Sequence, residues 1–118
     1  MAIFNVTIAV ANVYGQTFEE VDVTVDTACD YTTLPTEMLQ RLAVPVSRTT
    51  ISEMADGRQV PADTGWARVR LEGHEVYTPV IFAQEGEANK LGFVALAEAS
   101  LGVDPTNRRL IPVNLRRY

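Results

Sequence analysis

Hydrophobic and polar residues alternate along much of this chain, and the alternation predicts strands. In "FNVTIAVAN" the residues Phe4, Val6, Ile8 and Val10 fall on one face, as a half-buried strand requires. "VYGQTF" supplies a turn with Gly15, and "EEVDVTVD" then sets Val21, Val23 and Val25 against Glu20, Asp22 and Thr24. The two runs predict a hairpin that feeds directly into Asp26. "LPTEMLQRLAV" breaks the period: Pro35 suits the first turn of a short helix, and Met38, Leu39 and Leu42 share a face. Asp56-Gly57, within "EMADGRQV", is a hairpin turn signal, and "WARVRLEGHEVYTPVIFA" reads as a second hairpin joined at Gly73. A polar loop, "QEGEANK", leads to a helix predicted from Val94 to Leu101 and closed by Gly102, and "RLIPVNL" finishes the chain as a strand. With no repeat, linker or low-complexity segment, residues 1–118 read as one mostly-β domain with one or two short helices.

Composition narrows the partners. The chain is 47% hydrophobic and 21% charged, and its 15 acidic against 10 basic side chains give a net charge of -5. A 118-residue chain of this kind buries a real core. No Lys/Arg cluster is long enough to form a nucleic-acid face. The single cysteine, Cys29, excludes an intrachain disulfide and fits a reducing compartment. "MAIFNVTIAVANVYG" has neither a basic n-region nor a long apolar h-region, and no run approaches the roughly 20 apolar residues of a membrane span. The expectation is a cytoplasmic protein without membrane insertion.

Two stretches carry candidate chemistry. Asp63-Thr64-Gly65 spells out the tripeptide of an aspartic protease loop, whereas Asp26-Thr27 is followed by Ala28. Context favours the imperfect copy. An alternating valine strand delivers Asp26 to "TACDYTTL", whose small and hydroxyl residues can brace a tight loop. Asp63 lies between Pro61 and "WARVRL", where it reads as a turn residue and Gly65 as the entry to a strand. An Asp-Thr pair at a strand end is more often structural than catalytic, so the surrounding residues must decide.

Those residues resemble the retropepsin-like aspartic proteases, the family of retroviral proteases and their small single-domain cellular and bacterial relatives. Val25, Asp26, Thr27, Ala28, Cys29, Asp30, Tyr31, Thr32, Thr33 and Leu34 follow the family's active loop, with Ala28 in place of a glycine. "EMADGRQV" is similar to its flap hairpin, and "NKLGFVALAEASLG" to its glycine and short helix, with Lys90 where the family has an apolar residue. The likeness spans residues 3 to 113. It implies a closed β-barrel and a two-fold homodimer whose paired Asp26 carboxylates hydrolyse a polypeptide without a cofactor or metal. It further implies that Thr27 stiffens the site, that Ala28 lies beside the carboxylate, that Leu91 and Gly92 support the catalytic loop from beneath, that Asp30 contacts the substrate main chain, and that Asp56, Gly57 and Lys90 lie near substrate.

Both departures have two possible consequences. Ala28 is tolerable at negative φ and costs about 1 kcal/mol or more at positive φ. Lys90 either snorkels outward or lowers the pKa values of the carboxylate pair. They feed the rival expectation, a catalytically inactive dimerisation or peptide-binding module on the same fold. An unrelated small β-barrel is the third reading and predicts a stable monomer. Cys29 reads as a small packing residue, because the one histidine, His74, sits in the turn "EGHE". Trp66 fits either core or dimer surface. One cysteine and one histidine give no metal-ligand spacing.

Overall fold

The computed structural model describes residues 2–118, with residues 2 and 3 entering by their backbone alone. Met1, the first residue of the start read as lacking a leader, lies outside the described residues. β1 (Ala2–Asn12) and β2 (Glu19–Asp26) form the expected antiparallel pair, with Val6 opposite Val23 and Ile8 opposite Val21. The period-two pattern sorts the faces: Ile8, Val10, Val23 and Val25 are buried, and Asn5, Thr7 and Asp22 are exposed. Cross-strand bonds tie the polar face, where Thr7 Oγ1 donates to Asp22 Oδ1 at 2.6 Å and Thr24 Oγ1 donates to Asn5 Oδ1 at 2.8 Å.

The two other predicted hairpins also form. β4 (Arg48–Glu53) pairs with the start of β5 (Gln59–Leu71) across a turn in which Gly57, at φ +87°, takes a conformation that favours glycine. β5 then pairs with β6 (His74–Phe82) across Glu72 and Gly73, and its second half also pairs with β1. β3 (Thr32–Leu34) and β7 (Lys90–Leu91), too short to show any period, complete the sheet. β2 pairs with β7 in parallel, β7 with β3 antiparallel, and β3 with β6 in parallel. The pairings run in a cycle through β1, β2, β7, β3, β6 and β5 back to β1, with β4 added beside β5. Leu34, Leu39, Val69, Val80, Leu91 and Leu96 fill the core, and full burial of each such side chain stabilises by about 1.5–3 kcal/mol.

Two short helices, α1 (Thr36–Arg41) and α2 (Phe93–Glu98), pack on this sheet, and β8 (Leu101–Asp104) pairs with β9 (Arg109–Pro112) in a separate one. Both helices are shorter than the sequence suggests. Pro35 is the residue before α1, not within its first turn, and its carbonyl accepts from the Leu39 N–H. Ala43, at φ +57°, ends the segment before Val44. α2 starts at Phe93 and ends at Glu98 because Ser100, at φ +54°, turns the chain into β8. Gly102 is therefore a strand residue and not a helix cap. Among the described residues no helix is long and apolar enough to cross a membrane.

The Asp63-Thr64-Gly65 stretch also departs from expectation, because it lies inside β5 and not in a turn. Asp63 is exposed opposite Thr49, whose Oγ1 donates to Asp63 Oδ1 at 2.6 Å. Gly65 is needed for close packing: a Cβ there would meet the Pro45 carbonyl oxygen at 2.5 Å and Val44 Cγ1 at 3.2 Å. Gly65→Ala is accordingly expected to cost about 1–3 kcal/mol through overpacking, seen as a lower midpoint in thermal unfolding. An unchanged midpoint would show that the Val44-Pro45 segment moves aside freely. Trp66 is 52% exposed on the outer face of β5, so it is not a core residue.

Candidate active site

β2 ends at Asp26, which is 6% exposed, one residue after the fully buried Val25. The chain then turns tightly through residues 27–31 before entering β3. Asp26 braces that turn itself: its carbonyl accepts from the Cys29 N–H at 3.2 Å, and its Oδ1 accepts from the Ala28 N–H at 3.0 Å. The described non-glycine residues with positive φ are Ala43, Glu72, Ser100 and Arg108. Ala28 thus sits in backbone that any residue adopts, and the lost glycine costs no strain there.

The start of α2 holds the loop from below. Its opening N–H groups have no partner within the helix, and they are used on the loop. Gly92 N donates to Thr32 Oγ1 at 3.1 Å, Phe93 N to the Cys29 carbonyl at 2.8 Å, and Val94 N to the Asp30 carbonyl at 2.9 Å. The approach is close enough that a Cβ on Gly92 would lie 2.5 Å from the Tyr31 carbonyl carbon. Leu91, fully buried, lies beside Val25 in the β2–β7 pairing. Leu91 and Gly92 therefore lie against the Asp26 loop.

Lys90 does not snorkel outward. β7 fixes it between Thr24 of β2 and Thr33 of β3, and the Thr24 N–H donates to the neighbouring Asn89 carbonyl at 3.1 Å. From there Lys90 Nζ reaches to 3.5 Å from Asp26 Oδ2. Burial by itself pushes the Asp26 carboxyl up, yet it is held below its ordinary value. Hydrogen bonds to the carboxylate outweigh the burial, those of the Ala28 N–H and the Cys29 thiol among them. Burial pushes the Cys29 thiol up, and the Asp26 carboxylate adds to this against the pull of Lys90. A thiol so held is protonated and a poor nucleophile. His74 is exposed at the start of β6 and does not line the cavity beside Cys29.

Asp26 opens into a groove of about 1010 Å³ that lies between its loop and the β4–β5 hairpin. Ala28, Asp30 and Lys90 line it on the loop side, Ile51, Met54 and Ala55 on the hairpin side. Thr27 is exposed and outside this lining, and so are Asp56 and Gly57 at the hairpin tip. Asp56 bonds instead within its own turn, accepting from Arg58 Nε at 2.7 Å. Asp63 lines a separate hollow of about 380 Å³ against α1. The sequence reading missed the charged residues Arg48, Glu53 and Glu87, which all line the groove. Position along the chain gave no sign of them, because the fold brings three distant segments to one cleft.

The result is a buried carboxylate on a loop braced by hydrogen bonds, lining an open groove that the β4–β5 hairpin also lines. One such carboxylate can act as a base toward water; acid assistance to a carbonyl requires a second proton-carrying group. Compared with protein-family models and with curated proteins, the chain matches none.

Proposed function

We propose that two copies of this chain form one aspartic endopeptidase of retropepsin type, with the Asp26 carboxylates facing each other across a two-fold axis. The observation that carries this reading is the setting of Asp26: at a strand end, on a loop clamped by α2, in the floor of the groove. The cycle of strand pairings supports a closed barrel, and the β4–β5 hairpin over the groove supports a flap. An extended peptide in the groove can add strand-like hydrogen bonds, with its side chains entering the flanking pockets.

The chemistry requires the second copy. Two carboxylates a few ångström apart cannot both ionise readily, so they share one proton. The ionised partner takes a proton from the water between them, and the protonated one polarises the scissile carbonyl. Two-fold symmetry supplies identical groups to both roles.

Lys90 sets the working pH. An ammonium 3.5 Å from Asp26 favours the ionised carboxylate, so it draws both pKa values of the pair downward and moves activity toward acid. Lys90→Leu is expected to shift the profile of kcat/KM against pH to higher pH. A profile that stays in place would mean that the ammonium does not act on the pair.

The same contact favours a second reading. An ionised Asp26 paired with Lys90 suits a peptide-binding module that retains the groove and lacks hydrolysis. Cleavage of a mixed peptide library from acid to neutral pH, with products identified by mass spectrometry, separates the two. The endopeptidase reading expects internal cuts by the native protein. Peptide binding without cuts by a folded dimer of the native protein would establish the module.

A further inference from the structure

The hollow of about 380 Å³ beside α1 adjoins the groove, because Pro61, Phe82 and Gln84 line both. Neither Asp26, nor the loop after it, nor Lys90 lines the hollow, so it faces a peptide residue removed from the reacting bond. Val44, Val46, Pro61 and Phe82 make its wall apolar, and Gln40 and Gln84 set two amides into that wall. Asp63 is the one charged residue of the lining. Its Oδ1 accepts from Thr49 Oγ1, but among the described residues Asp63 has no ion pair. Glu19, Asp56, Glu75 and Asp104 each have an arginine partner. Arg48, next to Thr49 on β4, lines the groove and not the hollow.

We infer that this hollow is an outer pocket of the groove, and that Asp63 there selects a lysine or arginine of the bound peptide. The inference rests on a peptide occupying the groove, which the endopeptidase and binding-module readings share. A long cationic side chain matches the whole lining. Its methylene stem covers the apolar wall while its charged head stays near water at Asp63. The carbonyl oxygens of Gln40 and Gln84 can accept its remaining N–H groups. An acidic side chain would meet a like charge, and an apolar one gains nothing from Asp63. Successive side chains of an extended peptide point to opposite sides, so one hollow reads one residue. The net charge of -5 attracts any cationic peptide at long range, so the mark of selection by Asp63 is its dependence on position.

The test walks a single arginine along an uncharged peptide that the native protein cuts or binds, with citrulline, a neutral isostere, as the control at each position. The readout is kcat/KM where the peptide is cut, and Kd from fluorescence anisotropy where it is only bound. Arginine is expected to exceed citrulline by about fivefold, the size of a good exposed ion pair, at one position or at two, since a two-fold dimer holds two hollows. Asp63→Asn keeps an oxygen for Thr49 and is expected to remove that advantage. Glu37→Gln removes an exposed charge from α1 outside the hollow and is expected to keep it. Equal values for arginine and citrulline at every position would overturn the inference. So would an advantage spread evenly along the peptide, one that survives Asp63→Asn, or one that Glu37→Gln removes as well. Binding without cuts sinks the endopeptidase reading alone, and Kd then decides the pocket. Failure of every peptide to bind overturns both.

Discussion

Replacing Asp26 with asparagine is expected to reduce peptide hydrolysis by about 10⁴-fold or more while the chain stays folded. The amide keeps an oxygen where Oδ1 accepts from the Ala28 N–H, so the turn retains its brace. It cannot ionise, so neither the base nor the shared proton survives. The charge on Lys90 also loses its partner, which gives a second readout without activity. Asp26 titrates below its ordinary value in the fold, so its ionisation stabilises the protein above the ordinary carboxylate pKa. That contribution is lost as pH falls through the depressed folded value. Thermal unfolding should therefore show native protein above Asp26→Asn near neutrality, with the gap closing in strong acid. A gap that is constant with pH would contradict the ionised, paired state of Asp26.

Gly92→Ala is expected to have the second largest effect, through the same loop from beneath. The added Cβ would lie 2.5 Å and 2.6 Å from the Tyr31 carbonyl carbon and oxygen, and 2.9 Å from the Asp30 carbonyl oxygen. These are backbone atoms and cannot rotate away, so the helix start and the loop must separate. A cost of about 3 kcal/mol, at the upper end for overpacking, is the expected result. The hydrogen bonds from Phe93 and Val94 to the loop would lengthen with it. A displacement of about 1 Å in a catalytic group lowers rates about 10²-fold, so activity should fall further than the fraction of unfolded protein explains. Thermal unfolding and kcat on the folded fraction measure the two separately. A variant of native stability with reduced kcat would place the effect in the loop alone; native values of both would show that α2 does not hold the loop.

The readable parts of this molecule were the ones whose physics is local. Alternation in "FNVTIAVAN" and "EEVDVTVD" shows because each strand buries one face, and Asp56-Gly57 shows because its turn needs a positive φ. β3 and β7 did not show, since three and two residues carry no period. Their parallel pairings join segments far apart in the chain, and they bring Lys90 to Asp26. Pattern named both residues, but only the β2–β7 register decides between a lysine that snorkels and one that pairs. Gly65 and Gly102 were misread for a common reason. A glycine in a sequence suggests a boundary, the entry to a strand for Gly65 and a helix cap for Gly102, whereas Gly65 serves the close approach of Pro45 within a strand and Gly102 lies inside β8. At the end of α2 the left-handed residue is Ser100, a type with no such signal.

On the proposed reading, two Asp26 residues, one from each of two copies, make one site. Mixing native protein with an increasing excess of Asp26→Asn, at fixed total concentration and after exchange of subunits, tests it most directly. If both carboxylates are required, mixed dimers are dead, and hydrolysis per native chain falls in proportion to the native fraction. Hydrolysis per native chain that stays constant as the variant is added would show that one chain carries a complete site and that no second Asp26 is needed.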